Sequence, residues 1–205
     1  MGELIVLRHG ETEWSKAGRQ TGRTDVPLTP HGEVMATRLA PALAKRDIAA
    51  VFSSPAQRAL RTAELAGLPD PQPDPDLWEW DYGGYEGRTT KDIQRERPGW
   101  YLWSDGVIPG GPGGLPGESA DQVAERCDRV IERVKPLVLP GSSDELEGDV
   151  ALIAHGHVLR ILAARWLGLP AAAGACFILG TAAICALGFE HERPGIVLWN
   201  QNTCV

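Results

Sequence analysis

The chain has 205 residues, enough for one α/β domain with a full core, and its formal charge of −7 argues against a nucleic-acid partner. Its four cysteines, Cys127, Cys176, Cys185 and Cys204, form no CxxC pair and no metal-ligand spacing, so they read as reduced thiols of a cytoplasmic protein. An anionic substrate would need a local cluster of cations against this background.

The first predicted element is a strand. Leu4 to Leu7 is a short continuous apolar run, which suits a strand buried on both faces, and it leaves no room for a signal peptide. It ends in Arg8-His9-Gly10-Glu11. A polar loop, 11–30, follows, and Thr29-Pro30 reads as the cap and first residue of a helix running to about Lys45. A short strand is predicted at 49–52. Ser54-Pro55 repeats the cap-plus-proline signal before a helix over 56–66. The proline-rich 69–75 stretch reads as a connector. Residues 77–118 form a long excursion with one predicted helix, 90–97, and a glycine-proline loop at 108–117. A helix over 119–135 and an acidic turn, 141–148, come next.

Asp149-Val-Ala-Leu-Ile-Ala154 is a second buried-strand run, and it ends in His155-Gly156-His157. A helix over 158–167 and strands near 182–189 and 196–199 close the chain. The uncharged stretch 171–189 is long enough to span a membrane, but its glycines favour a buried strand with an approach loop. No internal repeat is present. The alternation predicts a single domain over 1–205: α/β, three-layered, with a mostly parallel central sheet and helices on both faces.

Ligands on such sheets bind outside the carboxyl ends of the strands. A histidine delivered there, beside a cation and before a glycine, can act as a nucleophile toward a phosphoryl group. Two strands ending in His-Gly, at His9 and His155, are hard to explain as packing. Arg58 falls near the first turn of a helix that begins where a strand ends, which places a guanidinium at the same rim. Arg61 suits a solvated surface better. In Leu77-Trp-Glu-Trp-Asp-Tyr-Gly-Gly-Tyr-Glu-Gly87 three carboxylates, Glu79, Asp81 and Glu86, lie among aromatics. Glu79 is flanked by Trp78 and Trp80, and desolvation by indole rings would suit it to general acid work. Sequence alone does not rank the three. Seven of the chain's thirteen aromatics fall within residues 78–103, as a pocket wall or a satellite cluster. His155-x-His157 could hold a metal on a strand end, but Arg8 and Arg58 nearby would repel the ion, so no metal and no cofactor is expected.

Four motifs in order carry a family resemblance: Arg8-His9-Gly10-Glu11-Thr12; Ser53-Ser54-Pro55 with Arg58 and Thr62-Ala63; Leu77-x-Glu79 before Tyr82-Gly83; and Ala154-His155-Gly156-His157. The chain resembles the histidine phosphatase superfamily, with its phosphoglycerate-mutase-like fold, over nearly its whole length. Gln20-Thr-Gly-Arg-Thr-Asp25, Trp80-Asp-Tyr-Gly-x-Tyr-Glu-Gly87 and Ala154-His-Gly-His-x-Leu-Arg160 look most like its small acid phosphatases and sedoheptulose-bisphosphatase-type members.

The resemblance implies that His9 attacks phosphorus and becomes a phosphohistidine. Arg8, Arg58 and His155, with backbone N–H near Gly156, would clamp the phosphoryl oxygens without a metal. Glu79 would protonate the leaving alkoxide and then activate water. His9 must be neutral, so its far nitrogen needs an acceptor, such as a backbone carbonyl. Gly10, Ser15, Thr21, Gly22, Glu118 and Ser119 are the candidate phosphate- or substrate-binding positions. Trp78, Trp80, Trp100 and Trp103 are expected to wall the pocket.

Two departures bear on substrate. Ser15 stands where many relatives have asparagine, a longer donor. Trp103 is followed by Ser104-Asp105-Gly106, where the mutases carry an arginine pair. The leading expectation is therefore a metal-independent phosphomonoesterase acting on a small phosphate ester or sugar phosphate, with no membrane partner and with homo-oligomerisation left open. The alternatives are a sugar bisphosphatase, in which Arg23, Arg88 or Arg160 would grip a second phosphate, then a phosphoglycerate mutase, then a non-catalytic phosphate-binding module.

Overall fold

The computed structural model describes residues 2–202, so Cys204 lies outside the described residues. In chain order the elements are β1 (Leu4–Arg8), α1 (Glu13–Lys16), α2 (Pro30–Thr37), α3 (Ala40–Leu43), β2 (Ile48–Ser53) and α4 (Gln57–Leu65). They continue with β3 (Gln72–Pro73), α5 (Thr90–Glu96), α6 (Leu102–Asp105), α7 (Ala120–Val138), β4 (Asp149–Ala154), α8 (Gly156–Trp166), β5 (Ala183–Glu190) and β6 (Arg193–Asn202). Short 3-10 turns occupy Pro75–Leu77, Pro112–Gly114 and Ala171–Cys176.

The strands form one six-stranded sheet in the order β3-β2-β4-β1-β5-β6. The β2·β3, β2·β4 and β1·β4 ladders are parallel, whereas β1·β5 and β5·β6 are antiparallel. Side chains alternate across a strand, and the core divides accordingly. Leu4, Val6, Val150 and Leu152 face the layer that holds α7 and α8. Ile5, Leu7, Ala151 and Ile153 face the opposite layer, with Leu39 and Leu43 beside α2 and α3 and Ala59 and Ala63 on α4. The structure is thus α/β, with helices on both faces of the sheet.

Several local expectations change. The helix predicted from Thr29 to Lys45 stops at Thr37 and restarts as α3, with Pro41 at its second position. Thr29 does cap it, accepting from the Gly32 N–H at 2.9 Å. Ser54 does not cap α4; Ala56 stands at the cap with no side-chain bond, and Ser54 faces inward. The 69–75 connector contributes β3 to the sheet edge, and the 77–118 excursion contains α6 in addition to α5. Ser119 caps α7 through a reciprocal box with Gln122. The uncharged 171–189 stretch forms a 3-10 turn, a loop and most of β5, and no helix among the described residues is long and apolar enough to cross a membrane. Cys127, Cys176 and Cys185 are free thiols.

Candidate active site

Parallel register builds the first half of the site. Arg8 pairs with Ala154, and the His9 N–H donates to the Ala154 carbonyl at 3.0 Å. On the other side of β4, the Ser54 N–H donates to the Ile153 carbonyl at 2.8 Å. Three neighbouring strands therefore release Ser54, His155 and His9 at one rim. The rings of His9 and His155 lie 5.1 Å apart, edge to face.

His9 is almost completely buried, and its Nδ1 lies 2.7 Å from the Gly10 carbonyl. A carbonyl only accepts, so Nδ1 carries the proton and Nε2 keeps its lone pair. Burial, then the charges of Arg58 and Arg8, hold His9 well below the usual histidine range, so the ring is neutral. Gly10 is fixed in turn by Thr62, whose hydroxyl accepts its N–H at 3.1 Å. A Cβ on Gly10 would come within 2.5 Å of the Gly32 carbonyl, so only glycine permits this approach of backbone to backbone.

Arg58 is not at the rim. It is fully buried beneath His155, and its Nε donates to His155 Nδ1 at 3.1 Å. Its Nη1 and Nη2 donate to the carbonyls of Thr24 and Gly22, each at 3.0 Å. This leaves the proton of His155 on Nε2, which meets Ser54 Oγ at 2.7 Å. Burial, Arg58, His9 and Arg8 all depress the His155 pKa. The ring of Trp78 stacks parallel to His155 at 6.4 Å.

Glu79 occupies a position that sequence proximity to tryptophan did not foretell. His155 caps α8 without a side-chain bond. The Glu79 carboxylate takes over that task. Its Oε1 accepts the N–H groups of Trp80 and Val158, and its Oε2 that of His157, each at 2.9 Å. A carboxylate on a helix N-terminus satisfies N–H groups that the helix cannot. Trp80 beside it in the chain is buried and donates its ring N–H to the Glu118 carbonyl at 2.7 Å.

A buried arginine and a half-buried glutamate hold the Glu79 segment. Arg126, on the apolar face of α7, donates from Nη1 to the carbonyls of Asp76 at 2.6 Å and Trp78 at 3.0 Å. Glu118 anchors Arg126 through both carboxylate oxygens, at 2.8 and 2.9 Å, and accepts the Asp81 N–H at 2.9 Å.

These elements enclose an open cavity of about 250 Å3. Among the site residues expected from sequence, it is lined by Arg8, His9, Ser15, Thr21, Glu79 and Gly156. Arg58 and His155 lie directly behind that lining. The structure places the remaining expected residues as follows. Glu118 is committed to Arg126, and Ser119 to the α7 cap. Gly22 gives its N–H to Glu86 at 3.0 Å and its carbonyl to Arg58. Gly10 orients His9 from below. Ser15 reaches the cavity, but its hydroxyl donates to the Thr12 carbonyl at 3.0 Å. None of the four tryptophans expected as walls lines the cavity: Trp80 and Trp100 are core residues. Sequence reasoning missed the lining roles of Tyr82 and His157, and singled out Arg160 only as one of three arginines. Among the described residues no group of three or more histidines, cysteines or carboxylates comes together as a metal cage.

One polar atom stands apart. Arg8 donates from Nη1 to the Leu179 carbonyl at 2.5 Å, yet its Nε is buried with no partner. A buried charged donor is costly to leave unpaired. The Arg8 guanidinium and the neutral His9 line the same cavity, a setting that suits an anion. The family comparison agrees: residues 4–202 match the model described as histidine phosphatase superfamily (branch 1).

The chain belongs to the histidine phosphatase superfamily. It is 41% identical over 190 residues to an acid phosphatase of Mycobacterium tuberculosis, covering 92% of this chain and 87% of that one. It is 38% identical over 190 residues to a sedoheptulose 1,7-bisphosphatase of Saccharomyces cerevisiae, covering 80% of this chain and 67% of that one. A solved structure of an open reading frame product from Mycobacterium tuberculosis superposes with a TM-score of 0.85 at 39% identity, over 98% of both chains. The chain is accordingly a phosphatase with a phosphoglycerate-mutase-like fold, and the phosphohistidine route is general to its superfamily.

Proposed function

We propose that the chain hydrolyses small phosphomonoesters, without a metal, through a phosphohistidine on His9. The observation that carries this reading is a neutral His9, its proton held on Nδ1 by the Gly10 carbonyl, lining one cavity with Arg8 and Glu79. In the first step His9 Nε2 attacks phosphorus and the P–O bond to the alcohol breaks. Glu79 Oε2 accepts one backbone N–H, so it retains a lone pair to carry the proton given to the leaving oxygen. In the second step Glu79 takes a proton from water, and the hydroxide displaces His9. Arg8 and the N-terminal turn of α8 oppose the charge on the transferring group. Arg58 and His155 act from behind: Arg58 sets the His155 tautomer, and His155 Nε2–H can turn from Ser54 to a phosphoryl oxygen.

A second reading, sugar bisphosphatase, rests on Arg160. Of the three arginines considered for a second phosphate, it alone lines the cavity. Its Nε and Nη2 are held by the carbonyls of Gly174 and Ala175, each at 3.0 Å, leaving Nη1 available. Arg23 lies over Trp78, and Arg88 pairs with Glu96. Phosphate release should be measured across nitrophenyl phosphate, sugar monophosphates, sugar bisphosphates and 3-phosphoglycerate, with and without a chelator. Release from several monoesters, insensitive to chelation, is expected. A sharp preference for one bisphosphate promotes the second reading. Activity lost to chelation and restored by metal, or isomerisation of phosphoglycerate outpacing release, overturns the proposal.

A further inference from the structure

His157 follows the second catalytic-strand histidine by two residues, and the proposed chemistry uses only its backbone N–H. Its side chain is placed with unusual care. Nδ1 lies 2.6 Å from the Tyr82 hydroxyl. The ring is boxed edge-on by Trp80, Tyr82 and Trp103, with centroids at 6.2, 5.8 and 5.4 Å. Tyr82 is 2% exposed, and among the described residues its hydroxyl has no partner but His157.

That isolation fixes the tautomer. If Nδ1 bore the proton, the O–H of the nearly buried Tyr82 would have no protein acceptor among the described residues, which costs free energy. The phenol therefore donates to Nδ1, and the ring proton sits on Nε2. Nε2 has no partner either, yet the sole buried side-chain polar atom without one, among the described residues, is Arg8 Nε. Nε2–H is consequently open to the cavity that His157 lines.

The charge state agrees with this geometry. Burial lowers His157 to about 4, Glu79 opposing and Arg160 and Arg8 adding to the effect. Burial pushes the Tyr82 phenol well above its usual value. Near neutral pH the pair is an uncharged relay that ends in one N–H donor.

Its location says what it addresses. The His157 N–H binds Glu79 Oε2, so ring and acid belong to one residue's surroundings. Glu79 acts on the leaving oxygen, so the donor faces the alcohol rather than the phosphoryl group. A neutral N–H suits an uncharged acceptor, while Arg8 supplies the cation for the anion.

We infer that His157, with its tautomer set by Tyr82, is a specificity-determining residue whose Nε2–H binds a hydroxyl oxygen on the leaving alcohol next to the ester carbon. The substrates would be phosphate esters of polyols and sugars rather than of simple alkanols. The inference rests on the phosphatase reading above. Hydrogen-bonding sites reject an analogue that lacks the matching group, because their own polar atoms are left unpaired.

The test compares kcat/KM for glycerol 1-phosphate and for propyl phosphate, which lacks the hydroxyls. The native enzyme should prefer the glycerol ester by about tenfold or more. His157→Leu should bring the ratio close to parity. Tyr82→Phe should lower it part of the way, because both tautomers then compete, and His157→Gln should restore part of it. A merely structural role would depress both substrates alike and leave the ratio unchanged, which would overturn the inference. A second readout does not need turnover. In His9→Ala protein, nitrogen-15 spectra of the histidine ring should show the neutral Nε2–H form of His157, with Nε2 shifting on addition of glycerol 1-phosphate and not of propyl phosphate. An Nδ1–H tautomer, or equal shifts with both esters, overturns it. Failure of the phosphatase reading itself looks different: no phosphate release from either ester by the native enzyme.

Discussion

The two ends of the cavity are held by different means. The phosphoryl end is backbone architecture: β2, β4 and β1 run parallel, and their register alone sets Ser54, His155 and His9 side by side. The leaving-group end comes from the 77–118 excursion, which has no strand in the sheet. It is fixed instead through its own carboxylates and one outside cation: Arg126 of α7 grips Glu118 and the Asp76 carbonyl on one side, and Glu86 accepts the Gly22 and Thr24 N–H groups on the other. A sheet tolerates substitution of any one residue better than a loop tolerates loss of its clamp. Changes at the second end should therefore alter acid catalysis while leaving the phosphoryl-transfer half in place.

The largest effect that would sharpen this contrast is at Glu79. Glu79→Gln should slow hydrolysis of alkyl phosphates by about 10²–10⁴-fold, and that of nitrophenyl phosphate much less, since a good leaving group needs little protonation. The measurement is kcat on both ester types. Equal losses would reassign the acid to Asp81 or Glu86. A smaller loss of the same kind is expected from Arg126→Gln. It removes the donors to the Asp76 and Trp78 carbonyls and the charged partner of both Glu118 oxygens, so kcat on alkyl phosphates should fall by about tenfold, with a weaker effect on the nitrophenyl ester. Uniform loss on both would mean that Arg126 serves the core in general and not the acid.

Legibility in the sequence follows the same division. The Leu4–Leu7 and Asp149–Ala154 runs announce buried strands, and buried parallel strands carry their own end positions, so His9 and His155 were readable from local pattern. Glu79 was readable as a motif position, but its surroundings were not. Two of its three donors are 78 and 79 residues away, beyond the reach of any local pattern. Glu118 and Ser119 looked like pocket residues because they re-enter after a mobile-looking glycine-proline loop; one proves to be an ion-pair anchor and the other a helix cap. Arg126 did leave a trace: it stands between Val123 and Val130 on the apolar face of α7, where an arginine needs partners. His157 is visible in His155-x-His157, but that spacing points to a metal ligand and not to a ring N–H donor.

The smallest of the expected effects concerns pH. His9 and His155 are held well below the usual histidine value, and His157 at about 4, chiefly by burial. The unfolded chain takes up protons near 6.5 that the native state refuses. Stability is therefore intact above that value and declines as pH falls toward about 4, at up to about 1.4 kcal/mol per pH unit for each histidine. An anion beside His9 and His155 favours their protonated forms. Sulfate should accordingly raise the melting temperature more at about pH 5 than at about pH 7.5. In His9→Gln protein this pH dependence should shrink, and an unchanged dependence would place the anion elsewhere.

The central claim is that His9, and not His155, carries the phosphoryl group. Turnover of a phosphate ester should be stopped with alkali, which preserves phosphohistidine, and the digested chain read by mass spectrometry. The phosphate should appear on His9 in the native enzyme and be absent from His9→Ala protein. Label on His155, or rapid hydrolysis with no labelled histidine at all, would contradict the account.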